Sequence, residues 1–313
     1  MKLVVLDGFA NNPGDLDWSC LQSFGDLTVR ERTSPEDVRR IIGDAEVVFT
    51  NKVRLGKKEL EDTKVRYIGV IATGYDVIDL DYCNNQRITV TNVPGYSSDS
   101  VAQMTFAHIL NYMNRIDLYA KENRQGRWAE SRDFVYYLNT THDIASMTLG
   151  IYGYGSIGKK VAEIARAFGM EVIAYSHRGK KEAPYVEEDE FFKRSHIISL
   201  HAPLNDTTRH FICKETLEKV RDGVILVNTA RGPLVNEEEL ISYLDSGRVA
   251  AYLSDVLAQE PMAKNHLFLH REDVFLTPHL AWASFESRKK LMRILFDNVQ
   301  AFLDGNPQNV VSQ

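Results

Sequence analysis

The sequence is poor in cysteine. Its three cysteines, Cys20, Cys83 and Cys213, lie far apart among the 313 residues and form no Cys-x-x-Cys pair. This spacing argues against a disulfide framework and against a zinc site built on paired cysteines. We therefore expect no bound metal and a reducing compartment, which we take to be the cytoplasm.

Long apolar runs at the N-terminus and an excess of basic charge are also missing. The apolar run before Asp7 is only four residues long, which is too short for the core of a signal peptide or for a membrane-spanning helix. The formal net charge is -6, whereas nucleic acids and acidic membranes attract basic surfaces. We expect neither of these partners and predict a small-molecule ligand.

The best-defined motif is a strand, a glycine turn, a helix and a second strand between residues 148 and 176. The turn has the spacing GxGxxG, formed by Gly153, Gly155 and Gly158. Between two strands and before a helix, these glycines give a tight turn, a close approach of a pyrophosphate, and close packing of helix on strand. The unit therefore predicts a Rossmann dinucleotide-binding domain.

The end of the second strand lacks the acid that usually binds a free ribose 2′-hydroxyl. Ser176, His177 and Arg178 stand there instead, and each of these side chains can contact a 2′-phosphate. We therefore favour NADP(H) as the cofactor. NAD(H) stays the alternative, because Arg178 and the lysines after it are also compatible with a solvated loop.

Short apolar strands alternate with amphipathic helices along the rest of the chain. This pattern predicts an α/β protein with two doubly wound parallel sheets, one Rossmann and the other flavodoxin-like. We expect strands at 2–6, 27–30, 45–50, 67–71, 88–91, 149–152, 171–176, 196–200, 224–228, 249–253 and 274–276. We expect helices at 98–115, 236–246 and 284–303, and one that begins with Ser34 as its N-cap and Pro35 as its first residue.

The domain boundaries follow from this alternation. Residues 1–98, completed by the C-terminal helix in 285–313, are predicted to form a domain that lacks the GxGxxG turn and therefore does something other than hold the dinucleotide. Residues 99–284 are predicted to form the NAD(P)-binding domain. Residues 121–147 are long for a loop and carry aromatic side chains, which predicts an arm packed on a second subunit and hence a homodimer.

Polar or small residues follow several strands at places where no core requires them. Ligands of parallel α/β sheets bind beyond the carboxyl ends of the strands. In the first domain the candidates are Lys52, Thr73 and Gly74, although Lys52 is equally well explained as a solvated surface lysine. In the second domain they are His201, Ala202, Pro203, Thr229, Ala230, Arg231, Asp255 and His279.

Three of the candidates together suggest a reaction. Arg231, Glu260 and His279 come from three loops that are expected on one edge of the same sheet. Hydride transfer to a 2-oxo acid needs a fixed cation and a proton donor that works near neutral pH. Arginine offers a bidentate fork, histidine titrates in that range, and a glutamate partner favours the imidazolium form.

Several long stretches resemble the D-isomer-specific 2-hydroxyacid dehydrogenases, in particular the glycerate dehydrogenase, hydroxypyruvate reductase and glyoxylate reductase branch. They include VIATGYDVIDL at 70–80, LVNTARGPLVNEEEL at 226–240 and TPHLAWAS at 277–284. The resemblance implies a reversible, NAD(P)H-dependent reduction of a small 2-oxo acid, such as hydroxypyruvate or glyoxylate, to the D-2-hydroxy acid. The family that the chain resembles uses the part in 1–98, with the C-terminal helix, as its substrate-binding domain.

The resemblance also implies a role for individual residues. Arg231 would bind the substrate, Glu260 would orient and charge His279, and His279 would exchange the proton. Backbone groups at Thr73 and Gly74 would hold the substrate carboxylate, and Trp282 either closes the pocket or packs at a domain edge. The further cofactor contacts that it implies are Ser156, Ile157, Thr207 and Ala281.

The sequence departs from the family after Glu260-Pro261, where MAKNHLFLH replaces the usual proline-rich loop. Another class of function also stays open. A dinucleotide-sensing regulatory protein can be built on the same fold and can retain the same three residues, because fold does not determine function.

Overall fold

The structure is a computed structural model that describes residues 1–177 and 184–312. By its internal contacts the chain divides into two compact units. Unit 1 is Met1–Ser97 with Ala283–Gln313, and unit 2 is Ser98–Trp282. None of the helices in the described residues is both long and apolar enough to cross a membrane.

Strands and helices alternate along the described chain. The strands are β1 Lys2–Val5, β2 Asp26–Val29, β3 Val47–Thr50, β4 Tyr67–Val70, β5 Thr89–Thr91, β6 Thr148–Tyr152, β7 Glu171–Tyr175, β8 Ile197–Leu200, β9 Val224–Asn228, β10 Val249–Ser254 and β11 Val274–Leu276. The α-helices are α1 Ser19–Gln22, α2 Val38–Ile42, α3 Lys57–Leu60, α4 Leu80–Asn85, α5 Ser98–Asn114, α6 Ile116–Arg124, α7 Ser156–Ala167, α8 Glu188–Arg194, α9 Lys214–Leu217, α10 Glu237–Asp245 and α11 Phe285–Leu303.

Unit 1 is built on a parallel sheet with the strand order β2-β1-β3-β4-β5. This is the flavodoxin-like order that the sequence predicts. Every residue of β3 and β4 is buried, as expected for apolar strands covered on both faces. The edge strand β2 is largely exposed.

The C-terminal tail completes the other edge of this sheet. Val310 forms an antiparallel bridge with Thr91 of β5. The Asn92 N–H donates to the Asn309 carbonyl at 3.1 Å, and the Val311 N–H donates to the Val90 carbonyl at 2.8 Å. The tail thereby satisfies backbone groups that an open edge strand leaves unpaired.

Unit 2 is built on a second parallel sheet, with the order β11-β10-β9-β8-β6-β7. Beyond β7, Tyr185 forms a single parallel bridge with Ala174. The Ala174 N–H donates to the Pro184 carbonyl at 2.8 Å, and the Val186 N–H donates to the Ala174 carbonyl at 2.9 Å. If the strands of unit 2 are numbered along the chain, with this one-residue strand as the third, their order in the sheet is 3-2-1-4-5-6-7. The first six strands are in the Rossmann order.

Helices cover both faces of the second sheet. One face is packed by α5 and α7 through residues such as Phe106 and Val161. The other is packed by α8, α9 and α10 through residues such as Phe191, Leu217 and Leu240. The predicted fold class, two doubly wound parallel α/β sheets, is thus confirmed.

Two local predictions were wrong. The helix expected to begin at Ser34 begins only at Val38, because residues 35–37 form a turn. The Ser34 hydroxyl lies 3.2 Å from a carboxylate oxygen of Asp37 and does not cap a helix. The segment 121–147 is not irregular throughout, since α6 extends to Arg124.

Candidate active site

His279 lies directly after β11 and forms a short contact with Glu260. Its Nδ1 is 2.6 Å from Glu260 Oε2. The other carboxylate oxygen, Oε1, accepts the N–H of Leu257 at 3.1 Å, so the loop that carries the glutamate also orients it. Because Glu260 engages Nδ1, Nε2 is the nitrogen available for proton transfer.

The backbone at His279 is strained, and Asp255 holds it in place. His279 has a φ of 55°, a value that residues other than glycine seldom adopt. Its N–H donates to the Asp255 carbonyl at 2.8 Å. The Asp255 carboxylate accepts the N–H of Leu280 at 2.8 Å and that of Ala281 at 2.7 Å. These bonds fix the loop in the conformation that directs His279 to Glu260.

A buried histidine on α5 extends this network. Thr277 Oγ1 donates to Asp255 Oδ1 at 2.5 Å and lies 3.0 Å from His108 Nε2. Because the Thr277 hydroxyl donates its only proton to Asp255, its oxygen must accept from His108, so Nε2 of His108 is the donor. Burial lowers the pKa of His108, although the charge of Asp255 opposes this shift. His108 is therefore a neutral donor at neutral pH.

The Arg231 loop follows β9 and is closed by a buried amide. Asn228 is fully buried. Its Oδ1 accepts the N–H of Ala230 at 3.1 Å, and its Nδ2 donates to the Arg231 carbonyl at 3.0 Å. Arg231 Nη1 donates to the Ala230 carbonyl at 2.8 Å. Thr229 is held against α5, where its Oγ1 lies 3.0 Å from Thr105 Oγ1.

The Arg231 loop touches the loop that carries Glu260. A Cβ added to Gly232 would lie 1.9 Å from the carbonyl carbon of Leu257, so only glycine allows the two backbones to meet there. Leu257 in turn donates its N–H to Glu260. The loops of Arg231, Glu260 and His279 are therefore gathered at one edge of the unit 2 sheet, as the sequence predicts.

The GxGxxG turn fits a pyrophosphate. Gly153 has a φ of 94°, and a Cβ there would lie 2.4 Å from the Ala202 nitrogen. The side of Gly155 that a Cβ would occupy is open, with no described atom within 4 Å. Next to this space α7 begins at Ser156, so the N–H groups of Ser156 and Ile157 lie in its first turn, where they are free to bind an anion.

The adenosine end of the predicted cofactor site is described only in part. Ser176 and His177 follow β7, whereas Arg178 lies outside the described residues. His177 Nδ1 lies 3.1 Å from the Tyr175 hydroxyl, which donates to Glu188 at 2.8 Å. Because the Tyr175 hydroxyl donates its proton to Glu188, its oxygen can only accept from His177. The Nδ1 of His177 is therefore the donor, and Nε2 takes no part in this contact.

The other predicted contacts are spread over the same edge of unit 2. Ala202 and Ala281 are buried, Trp282 is half-buried, and Pro203 and Thr207 are exposed. The Thr207 hydroxyl donates to Asn205 at 2.7 Å. His201 is held through Nε2, which lies 2.8 Å from Ser199 Oγ.

In unit 1 the candidate residues also lie at the carboxyl edge of the sheet. Lys52 follows β3 and is exposed, and its N–H donates to Asp7 Oδ2 at 2.6 Å. Thr73 and Gly74 follow β4, and the Thr73 hydroxyl donates to the Val93 carbonyl at 2.9 Å.

A family model matches residues 106–281, which is more than half of the chain. Its description is D-isomer specific 2-hydroxyacid dehydrogenase, NAD binding domain. The chain belongs to this family. It is therefore an enzyme, a D-2-hydroxyacid dehydrogenase that binds a nicotinamide dinucleotide, and the regulatory class left open by the sequence is not supported.

Relatives of this dehydrogenase match most or all of the chain. A hydroxypyruvate reductase of Blautia hydrogenotrophica is 38% identical over 322 aligned positions, which cover 100% of both chains. A glycerate dehydrogenase of Methylorubrum extorquens is 38% identical and covers 89% of each chain. The solved structure of an acyclic imino acid reductase in complex with NADPH and D-Arg superimposes with a TM-score of 0.87 at 29% identity, over 99% of this chain and 100% of that one.

Sequence reasoning missed the roles of two residues that support the dehydrogenase site. Asn228 was noted as a polar residue at the end of a strand that no core requires, but without a role, and His108 was seen only as part of a helix. The available signals were a buried amide immediately before Thr229-Ala230-Arg231, and a histidine on the apolar face of α5. Neither signal shows which backbone group or hydroxyl the side chain will meet.

Proposed function

We propose that this dehydrogenase reduces a small 2-oxo acid, such as hydroxypyruvate or glyoxylate, to the D-2-hydroxy acid, with NADPH as the hydride donor. The names of its relatives support this substrate class. The observation that carries the proposal is the contact of 2.6 Å between His279 and Glu260, at the edge where the Arg231 loop also lies.

When bound along unit 2, the reduced nicotinamide would supply the hydride for C2 of the substrate. The carbonyl π electrons move to the oxygen, which takes the proton from His279 Nε2. Glu260 orients the imidazole through its contact with Nδ1, which leaves Nε2 for this transfer. Arg231 binds the substrate carboxylate and stabilises the negative charge that develops on the carbonyl oxygen.

Unit 1, with the turn after β4, is proposed as the substrate-binding part. The N–H groups of Thr73 and Gly74 would bind the carboxylate, because successive backbone N–H groups form anion sites. Lys52 adds a positive charge near the carboxyl edge of the same sheet, and Trp282, at the end of unit 2, is proposed as a further substrate contact.

The cofactor is proposed to bind along the carboxyl edge of unit 2. Gly153, Gly155, Ser156, Ile157 and Gly158 would hold the pyrophosphate. Ser176 and His177 would contact the adenosine ribose and its 2′-phosphate, and no acid stands at these two positions to repel it. The other proposed contacts are His201, Ala202, Pro203, Thr207, Thr229, Ala230, Arg231, Asp255, His279 and Ala281.

We also propose that the enzyme is a homodimer. Trp128, Phe134 and Tyr137 lie on the segment after α6, and Phe134 is 89% and Tyr137 79% exposed. The segment is held in shape by bonds of its own, such as that from Trp128 Nε1 to the Phe134 carbonyl at 3.1 Å. An ordered apolar surface of this kind is typical of a protein interface.

The test is the oxidation of NADPH and of NADH at several concentrations with hydroxypyruvate, glyoxylate and pyruvate. We expect the highest kcat/KM with NADPH and hydroxypyruvate or glyoxylate. Turnover with NADH alone would contradict the cofactor assignment and leave the substrate assignment standing. No turnover with any of the three acids would contradict the substrate assignment.

A further inference from the structure

The turn after β4 is fixed by three consecutive carbonyl groups. The Ile71 carbonyl accepts from Asn11 Nδ2 at 3.1 Å, the Ala72 carbonyl accepts the N–H of Val93 at 2.9 Å, and the Thr73 carbonyl accepts from Asn92 Nδ2 at 2.8 Å. A trans peptide directs its N–H opposite to its C=O. The N–H groups of Thr73 and Gly74 therefore point away from Val93 and Asn92.

Asn92 is itself held by two further asparagines. Its own carbonyl accepts from Asn298 Nδ2 at 2.9 Å, and Asn298 Oδ1 accepts from Asn309 Nδ2 at 2.7 Å. Asn298 is fully buried on α11, and Asn309 belongs to the C-terminal tail. The side chain of Asn309 thus holds that of Asn298, which holds the backbone of Asn92, and the side chain of Asn92 holds the carbonyl of Thr73. We call these three asparagines the amide relay.

The direction of the amide relay is determined by its backbone partners. Carbonyl oxygens only accept hydrogen bonds, so the NH₂ groups of Asn92 and Asn298 must face the carbonyls of Thr73 and Asn92. The oxygen of Asn298 then faces Asn309 and needs a donor, which Asn309 supplies. A buried amide is stable only when it is hydrogen-bonded, so a change at one asparagine disturbs the next.

We propose that Asn92 is a positioning residue for the substrate, and that Asn298 and Asn309 hold Asn92 in place. The amide relay sets the plane of the Thr73–Gly74 peptide, and this plane aims its N–H at the substrate carboxylate. The inference rests on the proposed function, in which this turn binds the carboxylate. It adds three asparagines from two distant parts of the chain to the residues that determine KM.

The first test is Asn92→Asp, which has nearly the same shape but places an oxygen against the Thr73 carbonyl. We expect KM for the 2-oxo acid to rise about tenfold, with kcat and the Kd for NADPH unchanged within about twofold. Asn85→Asp is the matched control. It makes the same change of charge at an exposed position of unit 1 and should leave KM unaltered.

The second test is Asn309→Gly. Asn309 has a φ of 53°, a conformation that glycine adopts without strain, so this variant removes the amide and spares the backbone. We expect a rise in KM of about threefold. Should Asn92→Asp fail to fold, this variant decides. An unchanged KM in Asn309→Gly, or a loss of kcat with KM constant, would overturn the proposal.

A binding measurement separates this inference from the proposed function. Oxalate carries a carboxylate but no ketone to reduce, and its binding to the NADPH complex can be followed by calorimetry. If the wild-type enzyme reduced none of the 2-oxo acids tested, the proposed substrate would be wrong. Weaker oxalate binding by Asn92→Asp would still support the amide relay, and equal binding by variant and wild type would refute it.

Discussion

His279 combines a strained backbone with a short contact to Glu260. Its φ of 55° is maintained by Asp255, which accepts the N–H group of His279 itself and those of the two residues that follow it. Strain of this kind persists only where the surroundings over-determine the conformation. The position of the imidazole is therefore set by Asp255, Thr277 and His108 as much as by its glutamate partner.

Replacement of His279 tests its proposed role directly. In His279→Gln we expect kcat to fall by a factor of about 10² to 10⁴, the usual contribution of a general acid. The Kd for NADPH, measured by fluorescence titration, should stay within about twofold because all the other proposed dinucleotide contacts remain. His270→Gln, at an exposed position outside the site, is the control. Wild-type kcat/KM in His279→Gln would remove His279 from the mechanism.

His201 makes stability depend on pH. Burial lowers the pKa of His201 to about 3, and Nδ1 is buried with no partner among the described residues. The unfolded chain binds a proton here below about pH 6.5, whereas the folded protein does not. The stability of the folded state must therefore fall as the pH drops from 6.5 towards 3.

We expect His201→Gln to reduce this acid sensitivity. Glutamine cannot bind a proton. The free energy of unfolding of the variant, relative to that of the wild type, should therefore rise by on the order of 2 kcal/mol when the pH is lowered from 7.5 to 5. Midpoints of urea unfolding at both pH values measure the change. The exposed His270→Gln should show the wild-type pH dependence. An equal pH dependence in His201→Gln would mean that His201 is not the group responsible.

The three proposed catalytic residues could be predicted from the sequence because their chemistry is specific. An arginine, a glutamate and a histidine that follow separate strands suit a 2-oxo acid, and the structure gathers their loops. Asn228, His108 and Asn92 could not be predicted in the same way. An asparagine or histidine side chain is common in any protein, and its use depends on which backbone group the fold places opposite it.

Secondary structure elements were predicted best where burial dictates the pattern. All eleven predicted strands occur among the described residues, because apolar runs covered on both faces leave a strong signal. The bridge at Tyr185 was missed since a strand of one residue has no periodicity. The helix start at Ser34 was misplaced because its hydroxyl meets the Asp37 carboxylate, and a local side-chain contact of this kind competes with capping.

The contact between the Arg231 loop and the Glu260 loop can be tested at Gly232. In Gly232→Ala the added Cβ would collide with the Leu257 backbone, so one of the loops must move. We expect kcat/KM to fall about tenfold or more, with a loss of about 1–3 kcal/mol in stability from overpacking. Enzyme kinetics and thermal melting measure the two effects.

Gly56→Ala is the control for this variant. There an added Cβ would come no closer than 3.4 Å to a neighbour, which is an ordinary contact. It should leave kcat/KM unchanged. If Gly232→Ala were as active as Gly56→Ala, the close approach of the two backbones would not be what aligns Arg231 with Glu260.

At the scale of the whole molecule, the exposed aromatic residues after α6 predict self-association. Phe134→Lys combined with Tyr137→Lys should convert the proposed dimer to a monomer, because two charges would have to be buried in an apolar interface. Sedimentation velocity measures the mass. Leu269→Lys, at another exposed apolar side chain of unit 2, should leave the association unchanged. A wild-type enzyme that sediments as a monomer would contradict the prediction.

The tail on β5 and helix α11 also affect how the protein is made. Unit 2 is a single continuous stretch of chain, whereas unit 1 needs residues 283–312 as well as residues 1–97. A ribosome delivers the N-terminal strands first, and domains generally fold as units during synthesis. The first sheet therefore stays incomplete, with its edge strand β5 unpaired, until residues 283–312 have emerged from the ribosome. Unit 2, although it is translated later than the first five strands, is the part that can finish folding first.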